Sequence, residues 1–397
     1  MTDSNDAGPG ERSRFTPLRE RHEALGASFT DFGGWQMPVR YTSDLAEHRA
    51  VREAAGIFDI SHMAEFTIDG AEAAVFLDHA LAGRLSNMAV GKAKYSLLLA
   101  EPRGIVDDVI VYRLAEDRFL IISNAGNRDA VSEALRARTR SFAFGRTPEL
   151  VGDDGSFGFV VGETGVRVED VSDHYALLAV QGPNAEAIVA ATEGITEVST
   201  PWSEQRYYAW ADGLFQGTPL LIARTGYTGE DGFELLVAAD RAPALWDAVV
   251  AAGAGHGLVP CGLAARDTLR LEAGMPLYGH ELSLDVVPAQ AGLGRVVAAD
   301  KERFVGKEGI EPADGARVLV GLAASGRRAG RAGYAVTDAD GAVVGEITSG
   351  ALSPTLGHPI AMAFVDPSAA DGDLFLDVRG TRIPATVTDL PFYRRKK

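Results

Sequence analysis

The chain has 397 residues, 46% of them hydrophobic, and 38 lysines and arginines against 55 aspartates and glutamates give a net charge of −17. At about 100–200 residues per domain this length calls for two or three domains, and the composition excludes a disordered or fibrous chain. The acidic balance argues against a nucleic-acid wrapper or a protein held on anionic lipid, no run approaches ~18 apolar residues for a membrane span, and the single cysteine, Cys261, excludes an internal disulfide framework and favours a reducing cytoplasm.

In chain order, Met1 to Arg14 is polar, acidic and Gly/Pro-containing, and reads as a short disordered lead rather than a signal or transit peptide. Ser43 to Ala55 reads as a helix, with Ser43 as N-cap and Gly56 as its stop. Ala64 to Ile68 reads as a strand and Ala71 to Ala80 as a helix. Lys94 to Ala100 and Gly104 to Arg113 read as strands around the turn from Glu101 to Gly104. Phe119 to Ser123 is a further apolar strand, and Asp129 to Arg138 is helical.

Leu220 to Arg224 and Phe233 to Val237 flank a Gly-rich turn from Thr225 to Gly232. Helices follow at Leu245 to Ala252 and at Leu263 to Ala273, the second closed by Gly274. From about Arg317 the character is all strand: Val318 to Leu322, Gly333 to Val336, Ala342 to Thr348, Ile360 to Val365 and Leu374 to Val378. Asp338-Ala339-Asp340-Gly341 marks a hairpin among them. The basic end, Arg394-Arg395-Lys396-Lys397, reads as solvated. There is no internal repeat. The change of character divides the chain near 290–315 into an α+β portion, residues 15–300, and a small β-barrel or sandwich, residues 301–397.

Motifs of several large enzyme classes are missing. There is no phosphate loop, since Gly306-Lys307 runs into Glu308. There is no G-x-G-x-x-G, no G-x-S-x-G and no H-E-x-x-H, and the eight histidines show no metal-ligand spacing. Asp338 to Gly341 opens like a calcium loop, but Ser349 stands where the bidentate Glu is needed. Cys261 reads as a small buried hydrophobe.

Four constellations could carry chemistry. Asp107-Asp108 interrupt an apolar strand, where burying both carboxylates is costly. Alternation sends them to opposite faces, Asp108 with Val106, Ile110 and Tyr112, and Asp107 with Ile105, Val109 and Val111; it does not say which faces a cavity. A carboxyl on an apolar face has a raised pKa, suited to proton transfer or to a protonated nitrogen. The alternative is an edge strand with one solvated Asp. Arg266 and Arg270 lie four apart on one helix face, where a carboxylate ligand between them would relieve repulsion; pairing with Asp267, Glu272 or distant acids explains them equally well. The Thr225 to Gly232 turn offers Tyr227 for stacking and Glu230 or Glu234 as acceptors, or is simply a decorated hairpin. Tyr207-Tyr208, beyond Trp202, read as core aromatics, and His62 in Ser61-His62-Met63 as a core histidine with a backbone partner.

Together these segments resemble the glycine cleavage system T protein (aminomethyltransferase) family. The N-terminal signature is carried by Phe32-Gly33-Gly34-Trp35-Gln36-Met37-Pro38-Val39 and Gly56-Ile57-Phe58-Asp59-Ile60-Ser61-His62-Met63. Gly91-Lys92-Ala93-Lys94-Tyr95-Ser96, Asp107-Asp108, Ser123-Asn124-Ala125, the run from Arg224 to Glu234 and the run from Ala265 to Gly279 continue it. Phe304-Val305-Gly306-Lys307, the run from Thr348 to Pro354 and Pro391-Phe392-Tyr393 complete it. The match runs in order from about residue 15 to the end. Each piece alone is weak, but the set is specific.

The resemblance implies an α+β fold of two interleaved antiparallel subdomains over 15–300 that binds folate, with a C-terminal β-barrel over 301–397. It implies a tetrahydrofolate-dependent transferase whose partner is the lipoylated H protein. Ammonia leaves the aminomethyl group on the lipoyl sulfur, and the one-carbon unit passes to tetrahydrofolate, giving 5,10-methylenetetrahydrofolate. It implies no metal, no nucleotide, no nucleic acid and no membrane. By position, Asp108 matches the catalytic aspartate and Asp107 would be structural. Glu234 matches the acid that binds the pterin, and Arg266 the arginine that meets the folate glutamate. Tyr95, Ile110, Asn124, Tyr207 and Tyr227 match further pocket positions, and either Tyr393 or Arg394 a terminal one. Two departures are visible: Arg103-Gly104 where two glycines are usual, and His280 where Asn is common.

The nearest rival on the same fold is a non-catalytic folate-binding scaffold of the iron–sulfur maintenance type. That group carries a Cys where this chain reads Arg303-Phe304-Val305-Gly306-Lys307. The folate domain of a sarcosine- or dimethylglycine-oxidising enzyme would need a flavin domain for which 397 residues leave no room. A non-folate binding or structural protein would show no saturable folate binding.

Overall fold

A computed structural model describes residues 13–144 and 165–395. Residues 1–12 of the expected lead and the last two lysines lie outside them. Arg14 is already tied to the body, its N–H donating to the Gly34 carbonyl at 2.9 Å.

Two sheets face each other. A five-stranded antiparallel sheet runs in the order Ala93–Leu99, Ile105–Ala115, Arg118–Ser123, Ala64–Asp69, Arg167–Asp170. A seven-stranded sheet runs Ile195–Thr196, Trp210–Phe215, Thr218–Ala223, Gly232–Ala238, Tyr175–Gln181, Ala55–Asp59, Leu258–Pro260. The chain enters the larger sheet at Ala55–Asp59, leaves to build the smaller one, and returns at Tyr175–Gln181, so the two halves are interleaved.

Alternation sets the layers. Leu178 and Val180 face helices Ala185–Ala191 and Ala242–Gly253, while Leu177 and Ala179 face the other sheet, where Tyr112, Leu120 and Ile122 meet them. Helices Ala73–Ala80 and Arg128–Phe144 cover the outer face of the smaller sheet. A strand covered on both sides reads as one apolar run, which is why Tyr175–Gln181 carries no alternation to find it by.

The last third is a closed six-stranded antiparallel barrel, formed by Val318–Ala324, Pro359–Val365, Val343–Leu352, Ala335–Thr337, Leu374–Val378 and Thr381–Thr388. This settles barrel against sandwich. The closing strand, Thr381–Thr388, escapes the sequence reading because Pro384 and its polar neighbours argue against a strand. The Asp338 turn is a hairpin, its Oδ1 accepting from the Ala342 N–H at 2.9 Å.

Several boundaries differ: the helix expected at Asp129 to Arg138 is Arg128–Phe144, that at Leu245 to Ala252 is Ala242–Gly253, and the strand at Ala342 to Thr348 is Val343–Leu352. The helix after Ser43 is Asp44–Glu53, capped by the Ser43 hydroxyl at 3.4 Å from the Ala46 nitrogen. Gly56 does not stop it but sits inside the strand Ala55–Asp59, where a Cβ would fall 2.5 Å from Val51 Cγ2 and 2.6 Å from the Cys261 sulfur. The glycine is there for close approach.

Candidate active site

A cavity of about 610 Å³ opens between the two sheets. Its walls come from the strand Ile105–Ala115, the hairpin Ser28–Phe32/Trp35–Arg40, the Thr225 turn and the helix Leu263–Glu272. Its volume lies in the usual range for small-molecule sites.

Asp108 faces it, with Ile110 and Tyr112, which resolves the alternation in favour of the second carboxyl. The Tyr95 hydroxyl donates to Asp108 Oδ2 at 3.1 Å and Asn124 Nδ2 to Oδ1 at 2.8 Å. Burial raises the Asp108 pKa, and these two donors hold it back. Asp107 turns to the other face, fully buried, accepting from the Asn124 backbone N–H at 3.0 Å, Asn124 Nδ2 at 2.8 Å and Asn127 Nδ2 at 2.7 Å. Burial and the neighbouring Asp108 push it up to about 7.

Glu234 looks into the cavity from the larger sheet. Thr225 Oγ1 donates to it at 2.5 Å, and the Tyr112 hydroxyl lies 3.5 Å away. Burial raises its pKa, and the Thr225 hydroxyl and the Arg266 charge oppose the rise. Of the two acids offered by the Gly-rich turn, Glu230 is taken by Arg52 at 2.9 Å, so only Glu234 remains for a ligand.

The two helix arginines divide likewise. Arg270 is 1% exposed and fully engaged, by Asp267 at 2.8 Å, Glu281 at 3.1 Å and the Ser349 hydroxyl of the barrel at 2.7 Å. The Arg266 guanidinium lies over the Tyr227 ring at 4.9 Å and makes no side-chain hydrogen bond or ion pair to the described residues, its backbone N–H alone donating, to the Gly262 carbonyl at 3.1 Å. An anion clasped between both arginines is therefore replaced by a single available guanidinium. Tyr227 is itself fixed, its hydroxyl donating to the Pro276 carbonyl at 2.5 Å.

Tyr95, Asp108, Ile110, Asn124, Tyr227, Glu234 and Arg266 thus line one cavity. Tyr207, Tyr393 and Arg394 do not. Tyr207 is 40% exposed and stacks edge-on against Tyr208, the residue that does line the wall. Tyr393 lies under the Arg52 guanidinium at 4.1 Å, and Arg394 is exposed. The basic end is more than a solvated tip, since Arg395 pairs with Asp231 at 3.2 Å.

Sequence reasoning missed several lining groups. Thr30, Asp31 and Phe32 come from a hairpin whose signal was present, Gly33-Gly34 between two short runs, with both glycines at positive φ, 60° and 84°. Tyr208 holds φ 57°, the left-handed region unusual for an aromatic, which nothing in composition announces. His62 is 3% exposed but is no core histidine with a backbone partner: its Nδ1 has none and its ring lines the cavity, edge-on to Phe32 at 5.4 Å. Burial and the Arg266 charge push it down to about 4, so the ring is neutral. Among the described residues no group of three His, Cys, Asp or Glu is placed to hold a metal ion, and no helix is long and apolar enough to cross a membrane.

Two interleaved sheets, a closed barrel and a buried acid-lined cavity define a small-molecule site of an α+β protein with an appended barrel. Residues 18–301 match the model of the GCVT N-terminal domain, and residues 317–394 that of the glycine cleavage T-protein C-terminal barrel domain. The chain belongs to the glycine cleavage T-protein family. The aminomethyltransferase of Cutibacterium acnes is 53% identical over 96% of this chain and 99% of its own length. That of Saccharopolyspora erythraea is 50% identical over 96% and 98%. The crystal structure of the glycine cleavage system aminomethyltransferase T from Bartonella henselae superposes with a TM-score of 0.82 at 34% identity, covering 97% of this chain and 100% of that one.

Proposed function

We propose that the protein is the tetrahydrofolate-dependent aminomethyltransferase of a glycine cleavage system, acting in the cytoplasm on the lipoylated H protein. The folate-binding portion is residues 15–300 and the barrel portion 301–397. The carrying observation is that one cavity holds Asp108, fixed by Tyr95 and Asn124, together with Glu234 and the unpaired Arg266.

The chemistry matches this set. The substrate carbon leaves its nitrogen and its sulfur and becomes bonded to N5 and N10 of the folate. The two protons displaced from those nitrogens balance ammonia and the freed thiol. Such a transfer needs alignment more than a protein nucleophile, and Cys261, 2% exposed against the Glu47 carbonyl, is not needed as one. Asp108, at the cavity wall, orients the folate nitrogens and handles a proton. Glu234 accepts from the two-donor edge of the pterin. Arg266 meets the folate glutamate carboxylate. Ile110 and Tyr227 flank the ring system, and Tyr207 backs the wall through Tyr208. No step calls for a metal or a nucleotide.

Equilibrium binding of tetrahydrofolate tests this reading. Wild type should bind saturably, and Glu234→Gln should weaken binding by about tenfold or more, the scale of a hydrogen bond to a charged group. No saturable binding by the wild type would overturn it. Binding without transfer would favour the scaffold.

A further inference from the structure

We propose that Asp107, on the strand face turned away from the cavity, is a positioning residue for the transfer: by clamping Asn124 from two sides it fixes the carboxyl of Asp108 toward the reacting nitrogens. The inference rests on the transferase reading above.

Asp107 cannot touch substrate, because adjacent strand residues point to opposite faces. Yet it is a fully buried carboxyl that accepts three hydrogen bonds, two of them from one residue: the Asn124 backbone N–H at 3.0 Å and its Nδ2 at 2.8 Å. The third comes from Asn127 Nδ2 at 2.7 Å. The same Asn124 Nδ2 donates to Asp108 Oδ1 at 2.8 Å. An amide nitrogen carries two hydrogens, and here one goes to each acid. The Asn124 side chain therefore has one orientation, with its nitrogen between the carboxyls. With Tyr95 on the other Asp108 oxygen, both oxygens of the cavity acid are fixed.

Burying a second carboxyl beside the first is costly for a strand that needs only a shape there. An apolar residue would fill the space, and a neutral amide would keep the size. Once ionised, as it becomes above its raised pKa of about 7, Asp107 accepts all three N–H groups without offering a donor of its own, which neither replacement does. In Asp107→Asn the new amide presents N–H groups where Asn124 also presents them, and the Asn124 side chain loses its reason to hold its nitrogen toward Asp108. The titratable groups that face Asp107 are Asp108 on its own strand and the Tyr278 hydroxyl across from it; Asn124 and Asn127 are neutral.

The test is steady-state transfer from aminomethyl-loaded H protein to tetrahydrofolate, comparing wild type, Asp107→Asn and Asn127→Ala, with thermal unfolding of each. Misplacing a reacting group costs on the order of ten- to a hundredfold in rate. Asp107→Asn should therefore lose kcat on that scale with KM for tetrahydrofolate within about twofold, and Asn127→Ala, which removes one of the three donors, should lose less in the same pattern. Unchanged kcat in folded Asp107→Asn overturns the inference. So does a rise in KM in proportion to the loss of kcat, the mark of a site merely deformed. Should Asp107→Asn fail to fold, the same criteria applied to Asn127→Ala decide. A wild type that transfers nothing overturns the functional reading itself, whereas an active wild type with an indifferent Asp107→Asn overturns only the role of Asp107.

Discussion

A carboxyl can serve a proton-handling role only if its environment sets its charge, and the environment of Asp108 is readable atom by atom. Burial raises its pKa, while the hydrogen bonds from Asn124 and Tyr95 stabilise the charged form and lower it. The rate should therefore rise with pH along a limb above the ordinary carboxylate range. Tyr95→Phe removes a donor to the carboxylate, so that limb should move to higher pH; a limb that stays put or moves down in a pH–rate profile contradicts the assignment. The sequence made the Asp107-Asp108 pair conspicuous, because charge inside an apolar strand is conspicuous. Which of the two faces a ligand depended on the sheet packed against that strand, and no local pattern encodes that. His62 shows the same limit: its identity is visible, but its orphaned Nδ1 is a fact about Phe32 and the cavity.

At the level of elements, the turn that launches the Asp108 strand is fixed by a contact. Gly104 has φ 101°, and a Cβ there would lie 1.9 Å from the Leu284 carbonyl oxygen. Gly104→Ala should cost about 2 kcal/mol or more in unfolding experiments, through strain and overpacking together; a loss below about 0.5 kcal/mol would show that the Leu284 contact does not fix the turn. The helices and hairpins with strong punctuation were legible: Ser43 as a cap, Gly274 as a stop at φ 65°, and the Asp338 turn. The strands Tyr175–Gln181 and Thr381–Thr388 were not, the first because both its faces are covered and the second because Pro384 mimics a loop. Gly56 was misread because a glycine after a helix resembles a stop whether it ends the helix or admits a neighbour.

Across the whole molecule, the barrel is bolted to the helix that carries Arg266. Glu272, at the C-terminal end of that helix, accepts from Ser353 Oγ at 2.5 Å, the Thr355 N–H at 3.0 Å and Thr355 Oγ1 at 2.7 Å, all from the barrel. It also pairs with Arg52 at 2.8 Å and His48 at 3.2 Å. Despite its burial these partners, the His48 hydrogen bond first, hold its pKa down to about 2. A carboxyl held below its unfolded value near 4.5 stabilises the fold above that pH, and the contribution is lost as pH falls toward 2. Glu272→Gln should therefore show its full deficit in melting temperature at pH 7 and a shrinking one below about pH 4.5. A deficit independent of pH would contradict the charged clamp. The two-part architecture was legible in the change to short, turn-broken strands after Arg317. The clamp was not, because its partners are separated by as many as 307 positions in the chain.

The proposed role of Asp108 in a folate-dependent transfer is tested by the formation of 5,10-methylenetetrahydrofolate from aminomethyl-loaded H protein and tetrahydrofolate by wild type and Asp108→Asn. Wild-type turnover should fall by about a hundredfold or more in the variant, with tetrahydrofolate binding retained. Equal turnover by the two proteins, or a wild type that binds folate and transfers nothing, would contradict that role.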